Sequence, residues 1–216
     1  MPRVFPPYSN TIARVGVFGV VFGPIALFWG AARFNFSPYV TQVGVPREQP
    51  VPFSHKHHVG DLGLDCRYCH TTVEVSSFAN VPPIKTCMSC HSQIWRDSPV
   101  LEPIRAAYQA DIPVQWTRVN DLPDFVYFNH SIHINKGIGC ATCHGRLDQQ
   151  PLTWRAQMLS MAWCLDCHRQ PEKYVRPREA VFSMDYHPPR DQIALGNILL
   201  KEYHIQKLQD CYTCHR

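Results

Sequence analysis

The tightest constraint on this chain is a five-residue pattern, Cys-x-x-Cys-His, that occurs five times and uses all ten cysteines. The copies are Cys66-Arg67-Tyr68-Cys69-His70, Cys87-Met88-Ser89-Cys90-His91, Cys140-Ala141-Thr142-Cys143-His144, Cys164-Leu165-Asp166-Cys167-His168 and Cys211-Tyr212-Thr213-Cys214-His215. Histidine fills 12 of 216 positions, so five chance matches have a probability on the order of one in a million. The spacing is the attachment signature of a c-type haem. Two cysteines one helical turn apart share a face, where their sulfurs can form thioethers with the haem vinyls. The histidine that follows can then reach iron as the proximal ligand. Zinc ribbons do not require His after every second Cys, and disulfide frameworks do not require it at all. The expectation is five covalently attached haem c groups.

That density of sites dictates the fold class. Once the first 45 residues are set aside, about 34 residues remain per site, too few to build a large aliphatic core. The cofactors must act as the core and the chain must wrap them. Nineteen prolines and the irregular spacing of apolar residues point to loops and short α-helices. A mean hydropathy of −0.23 excludes a membrane-embedded bundle. The formal charge of +4 leaves out the haem propionates, so it is no argument for nucleic-acid binding.

A second pattern surrounds the first. Phe53-Ser54-His55-Lys56-His57-His58 precedes Cys66, and Phe128-Asn129-His130-Ser131-Ile132-His133 precedes Cys140. Each F-x-H-x-x-H box is followed by one attachment motif and then another, which reads as an internal duplication of a two-haem unit, about 53–91 and 128–168, with a fifth haem in 187–216. Seven histidines lie outside the motifs, and five irons need five sixth ligands. His55, His58, His130 and His133 supply four; His57 aligns with Ile132 and is set aside. The fifth comes from His187, His204 or a methionine. With supply matching demand, no iron is left open for substrate, which argues against a multihaem reductase such as a nitrite reductase. Trp95 and Trp116 are aromatic enough to pack on haem edges or in an ordinary core. Gln192 to Asp210 reads as one helix running into Cys211, with His204 two turns before that cysteine.

Haem attachment to this motif takes place outside the cytoplasm, and the N-terminus offers the means of export. Val15 to Ala32 is an uncharged run of 18 residues, roughly 27 Å as a helix. It is longer than a usual signal-peptide core and is read as an uncleaved signal anchor. Arg3 and Arg14 favour a cytoplasmic N-terminus, leaving the haem region outside. Gly16, Gly19, Gly23 and Gly30 share one face, where a partner helix can approach closely, and Pro24 is placed to kink the helix. The expected plan is an anchor over 1–33, a Pro-rich extended linker over 34–52 and a pentahaem domain over 53–216.

The chain resembles the pentahaem cytochrome c subunit of alternative complex III, a bacterial quinol-oxidising complex. The resemblance covers essentially the whole length. It is carried by the N-terminal anchor, the two Phe–His boxes, Gly139 to Gly145, Met161-Ala162-Trp163-Cys164-Leu165-Asp166-Cys167-His168-Arg169, Pro171-Glu172 and the terminal Cys211–Arg216. Ala162 stands where that family has Gly. The resemblance implies a fold that is mostly irregular with short α-helices, a class III/c7-like multihaem cytochrome c of two-haem repeats on one N-terminal transmembrane helix. It implies a non-catalytic electron-transfer subunit in the cytoplasmic membrane. Its partners would be iron–sulfur and quinol-binding membrane subunits and a monohaem cytochrome c subunit. Met161, inside the best-matching box, becomes the choice for the remaining sixth ligand ahead of His204 and His187, because a thioether gives the haem nearest the exit a higher potential. The competing reading is a self-sufficient membrane-anchored quinol dehydrogenase. Its first attachment motif would be expected close after the anchor, whereas 33 residues separate Ala32 from Cys66 here.

Overall fold

A computed structural model describes residues 4–215; Arg3 and Arg216 lie outside the described residues. The chain divides into two compact units, Met1–Val43 and Gly44–Arg216.

The first unit is built on helix α1, Ser9–Asn35, 27 residues long or about 40 Å. It is the one helix among the described residues long and apolar enough to cross a membrane, with mean hydropathy 1.9. The uncharged run of 18 residues sits inside it, bracketed by Arg14 and Arg33. Pro24 lies in its interior without ending it. A Cβ built on Gly16, Gly19, Gly23 or Gly30 meets nothing within 4 Å, so nothing in the unit itself requires glycine there. The stretch expected as an extended linker opens instead with the helical turn α2, Pro38–Thr41, started by proline at its first position.

The second unit contains short helices joined by loops: α3 Cys66–Cys69, α4 Ile84–His91, α5 Glu102–Ala110, α6 His130–Asn135, α7 Cys140–His144, α8 Met161–Arg169, α9 Gln192–Glu202 and α10 Cys211–Cys214. Among the described residues there is no strand, only isolated antiparallel bridges such as Pro46–Trp154, Val126–His215 and Ile138–Val175. The sequence starts these helices locally. Side chains of Asp65, Asn129, Ser160 and Asp191 each accept a backbone N–H of the first turn that follows. Proline at 83 fixes the extended residue before α4.

No single apolar core forms. Three buried nuclei of three residues each stand apart: Val51, Leu101 and Ile104; Val73, Ile134 and Val181; Val175, Leu199 and Tyr203. Trp116 packs on the first of them, while Trp95 is exposed. These nuclei pin the loops at their roots and leave the attachment motifs around them.

The expected helix over Gln192–Asp210 is shorter than the periodicity suggested, ending at Glu202. His204 takes a left-handed conformation, φ +52°, and Ile205 N–H returns to Leu200 O at 2.9 Å, closing the last turn. Lys136 Nζ reaches the free carbonyls of Tyr203 and His204. The chain then runs irregularly to Cys211, so His204 is not two helical turns before that cysteine on a shared face.

Candidate functional site

All five attachment motifs form the expected helical turn. Cys66–Cys69, Cys140–Cys143 and Cys211–Cys214 make up α3, most of α7 and α10, and the other two motifs end α4 and lie within α8. None of the ten cysteines is disulfide-bonded. Among the described residues no group of three or more His, Cys, Asp or Glu side chains converges as a metal cluster would. The helical turn at each motif sets its two cysteines on one face, as paired thioethers require.

The cysteines also give the motifs a spatial order. Burial pushes the Cys69 thiol up, and Cys87 adds to it. Cys66 lies against Cys140: that contact holds Cys66 down and Cys140 up. Cys143 is pushed up to about 12, by burial first and then by Cys167 and Cys164. Cys167 is pushed up to about 11 by burial and by Cys164, and Cys164 is raised by burial and by Cys214. The motifs therefore string together as 87/90, 66/69, 140/143, 164/167 and 211/214. The first motifs of the two repeats meet in the middle. A cavity of ≈ 340 Å³ opens beside Cys66, lined also by Asp65, Phe182 and Ser183.

The histidines are held in one consistent way. A histidine that binds metal through Nε2 usually donates its Nδ1–H to an acceptor, which fixes tautomer and ring direction. In the motifs, Nδ1 of His70 contacts Asn80 O at 2.6 Å, His91 contacts Ile94 O at 3.0 Å, His168 contacts Leu208 O at 2.9 Å and His215 contacts Phe125 O at 3.2 Å. In the boxes, His58 contacts Ser54 O and His133 contacts Asn129 O, both at 2.8 Å. His130 contacts Ser77 O and His55 contacts Thr153 Oγ1, both at 3.0 Å. The last two contacts cross between the repeats. His144 faces the side-chain amide of Asn120 at 3.2 Å through its nitrogen, while Asn120 Oδ1 is buried without a partner. Exchanging the amide oxygen and nitrogen lets Asn120 Oδ1 accept from His144 Nδ1–H, the assignment that leaves His144 Nε2 free to bind iron.

Phenylalanine sets the ring positions. Phe53 stacks on His58 at 4.5 Å and meets His55 edge-on at 4.9 Å; Phe128 stacks on His133 at 4.5 Å and meets His130 edge-on at 4.7 Å. Three of these rings lie beside motif histidines. Ring centres are 6.2 Å apart for His58 and His91, 6.5 Å for His130 and His144, and 6.2 Å for His133 and His168. Two imidazoles on opposite sides of one metal, each about 2.0–2.1 Å from it through nitrogen, have centres about 6.3 Å apart. The three pairs match that separation. His55 is pushed down to about 4, by burial first and then by His70, its leading charged neighbour. His144 is pushed down to about 4 by burial, then by His130 and His70. Burial also lowers His130 and His133. These rings stay neutral, the form that binds metal.

The remaining candidates are placed differently. His57 faces the Asp61 carboxylate at 3.5 Å and stacks on Trp95 at 6.1 Å. Met161 opens α8 and is 66% exposed. His187 Nδ1 contacts Asp185 O at 2.9 Å, the same kind of anchor as the paired rings have. Among the described ring pairs, neither His70 nor His215 has an imidazole at the separation of the three pairs. Sequence reasoning missed Asn120 and the carbonyls of Asn80, Ser77, Leu208 and Phe125. Backbone acceptors leave no residue-type signal, and Asn120 lies 24 residues from its partner.

The comparisons agree with this layout. Residues 126–216 match the family described as "Cytochrome c7 and related cytochrome c", and residues 36–112 match the class III cytochrome C family. Each match contains one Phe–His box with two attachment motifs, and the first also contains the fifth motif. The chain is 38% identical over 99 residues to the menaquinone reductase, multiheme cytochrome c subunit, of Nitratidesulfovibrio vulgaris. That match covers 45% of this chain and 46% of the relative, so it spans about half of each protein.

Proposed function

From a chain that is a multihaem cytochrome c of the class III and c7 type over residues 36–112 and 126–216, we infer an electron-transfer subunit of a quinone-linked membrane complex. The observation that carries this is the set of imidazole pairs at 6.2–6.5 Å, each ring anchored at Nδ1. Haem iron, when bound, supplies one-electron transfer. The chain supplies everything else. Five cysteine pairs hold five covalent haems, and the motif histidines His70, His91, His144, His168 and His215 are the proximal ligands. His58, His130 and His133 face His91, His144 and His168, and His55 is assigned to His70. Met161, 66% exposed at the start of α8, remains the choice for the fifth. Six-coordinate sites exclude substrate from iron and keep the chemistry to electron passage. The order of cysteines makes one continuous series of sites, with the 87/90 and 211/214 motifs at its two ends.

Electrons are taken to come from quinol oxidised in neighbouring iron–sulfur and quinol-binding membrane subunits. They leave to a monohaem cytochrome c subunit or another periplasmic acceptor, as in alternative complex III. Helix α1 anchors the chain with its haem region outside the cytoplasm. A second reading reverses the flow, because the relative is a menaquinone reductase subunit. Purification from membranes identifies the partners. In the purified complex, menaquinol should reduce the haems. If menaquinol leaves them oxidised and menaquinone re-oxidises chemically reduced haems, the reverse reading holds. Intact mass should exceed the polypeptide by five haems, and a smaller excess refutes the count.

A further inference from the structure

One buried cation in the second unit has no anion. Arg176 is only 8% exposed, yet its polar contacts are all neutral: Nη2 donates to Thr142 Oγ1 at 3.2 Å and Nη1 donates to Ser183 O at 3.4 Å. Its Nε is buried with no partner at all. Its guanidinium carbon sits 4.5 Å from the ring centre of Tyr186, whose hydroxyl is a second buried orphan. No described ion pair includes Arg176, and Asp148 and Asp185, which line the neighbouring cavity, are held by Arg146. Burial pushes Arg176 below its ordinary range, opposed by Tyr186 and Cys140, and thioether formation would remove the Cys140 thiol as a possible anion. The backbone makes room for this cation. A Cβ on Gly139, the residue before Cys140, would stand 2.2 Å from the guanidinium carbon. A buried guanidinium without a counter-ion is strongly unfavourable, so the fold is incomplete until an acceptor arrives.

We propose that Arg176 is the protein's counter-ion to a haem propionate, its unpaired Nε–H donating to that carboxylate. The inference rests on the reading of the Cys-x-x-Cys-His motifs as haem sites. Guanidinium matches a carboxylate in charge and in planar geometry. Two haems can supply it. Arg176 touches Thr142 inside the 140/143 motif, and it touches Ser183, which lines the cavity beside Cys66. A positive charge at this depth disfavours the oxidised, more positive form of the haem it serves. The pair therefore sets a potential at the junction between the two repeats.

The test uses the whole chain with its haems attached. In the unaltered protein, nuclear Overhauser contacts from Arg176 Nε–H should reach a propionate methylene. The thioether protons of the same haem, assigned to Cys66 or to Cys140, name which haem it is. In a redox titration, Arg176→Met should lower one haem's midpoint about tenfold in its oxidised-to-reduced ratio, 59 mV for a one-electron couple, and leave the others in place. Arg176→Lys should restore most of the shift. Gly139→Ala keeps the charge but displaces it, and should reproduce part of the loss. No contact between Arg176 and a propionate in the unaltered protein overturns the proposal, as do five unchanged midpoints in Arg176→Met carrying five haems. A mass showing fewer haems on the unaltered chain overturns the haem reading itself, and is measured separately.

Discussion

The two Phe–His boxes reach one arrangement over different backbones. Phe128 stands just before α6, an α-helical turn that carries its two histidines and that Asn129 caps. Phe53 and its histidines run into a wider π-helical turn, Lys56–Asp61, where Ser54 Oγ accepts the N–H of His57 as Asn129 accepts that of Ile132. The aromatic distances nevertheless agree to 0.2 Å or better, 4.5 and 4.9 Å against 4.5 and 4.7 Å. In both boxes the second histidine takes the carbonyl four residues back. What is duplicated is therefore the placement of three rings, and the turn beneath them is free to vary. The boxes also differ in what they add. The first inserts His57, which pairs with Asp61 and Trp95; the second has Ile132 there, 56% exposed.

The comparison breaks most visibly at the rings. His133→Ala and His58→Ala should each open one iron, and each variant should bind carbon monoxide at a single haem where the unaltered protein binds none. If either variant stays inert, that box does not supply the ligand.

Next come the phenylalanines. Phe53→Ala and Phe128→Ala each remove a half-buried ring and a stack, and each should cost about 2–3 kcal/mol in denaturant unfolding of the haem-loaded chain. Equal losses support equivalent boxes. A loss confined to Phe128→Ala shows that the π-helical turn holds its rings by other means.

A smaller effect separates side-chain from backbone anchors. Asn120→Leu strips the acceptor from His144 Nδ1 and should cost about 1–3 kcal/mol, with a changed low-spin electron paramagnetic resonance signal at one haem. Ser77→Ala leaves its carbonyl on His130 and should leave that haem's signal intact. The smallest effect belongs to His57→Ile, which makes the first box resemble the second. Its pair with Asp61 is exposed, so stability should change by less than about 0.5 kcal/mol and all five haem spectra should persist. A lost haem signal would make His57 a ligand.

Much of this was legible because c-type attachment is written in contiguous residues. Cys140 to His144 needs no tertiary information to be recognised, and the repeated Phe and His positions carried the box geometry. What stayed hidden is long-range. The contacts of His130 with Ser77 and of His55 with Thr153 span 53 and 98 residues. The spatial order of the motifs places the second before the first, which linear sequence cannot express. The helix expected to run to Asp210 failed for the same reason. Apolar periodicity continued past Glu202, but His204 turns left-handed and Ile205 N–H closes onto Leu200 O, while the Leu208 carbonyl serves His168, 40 residues away.

The three small nuclei carry a consequence for how the protein is made. Three buried residues apiece cannot hold so many loops against the chain's conformational entropy. On the haem reading proposed above, maturation and folding are one event: each covalent attachment converts a stretch of unfolded polypeptide into structure. A cell short of haem is expected to lose this chain to extracytoplasmic proteases instead of storing it empty. The amount of protein present would then report cofactor supply directly, with no dedicated sensor.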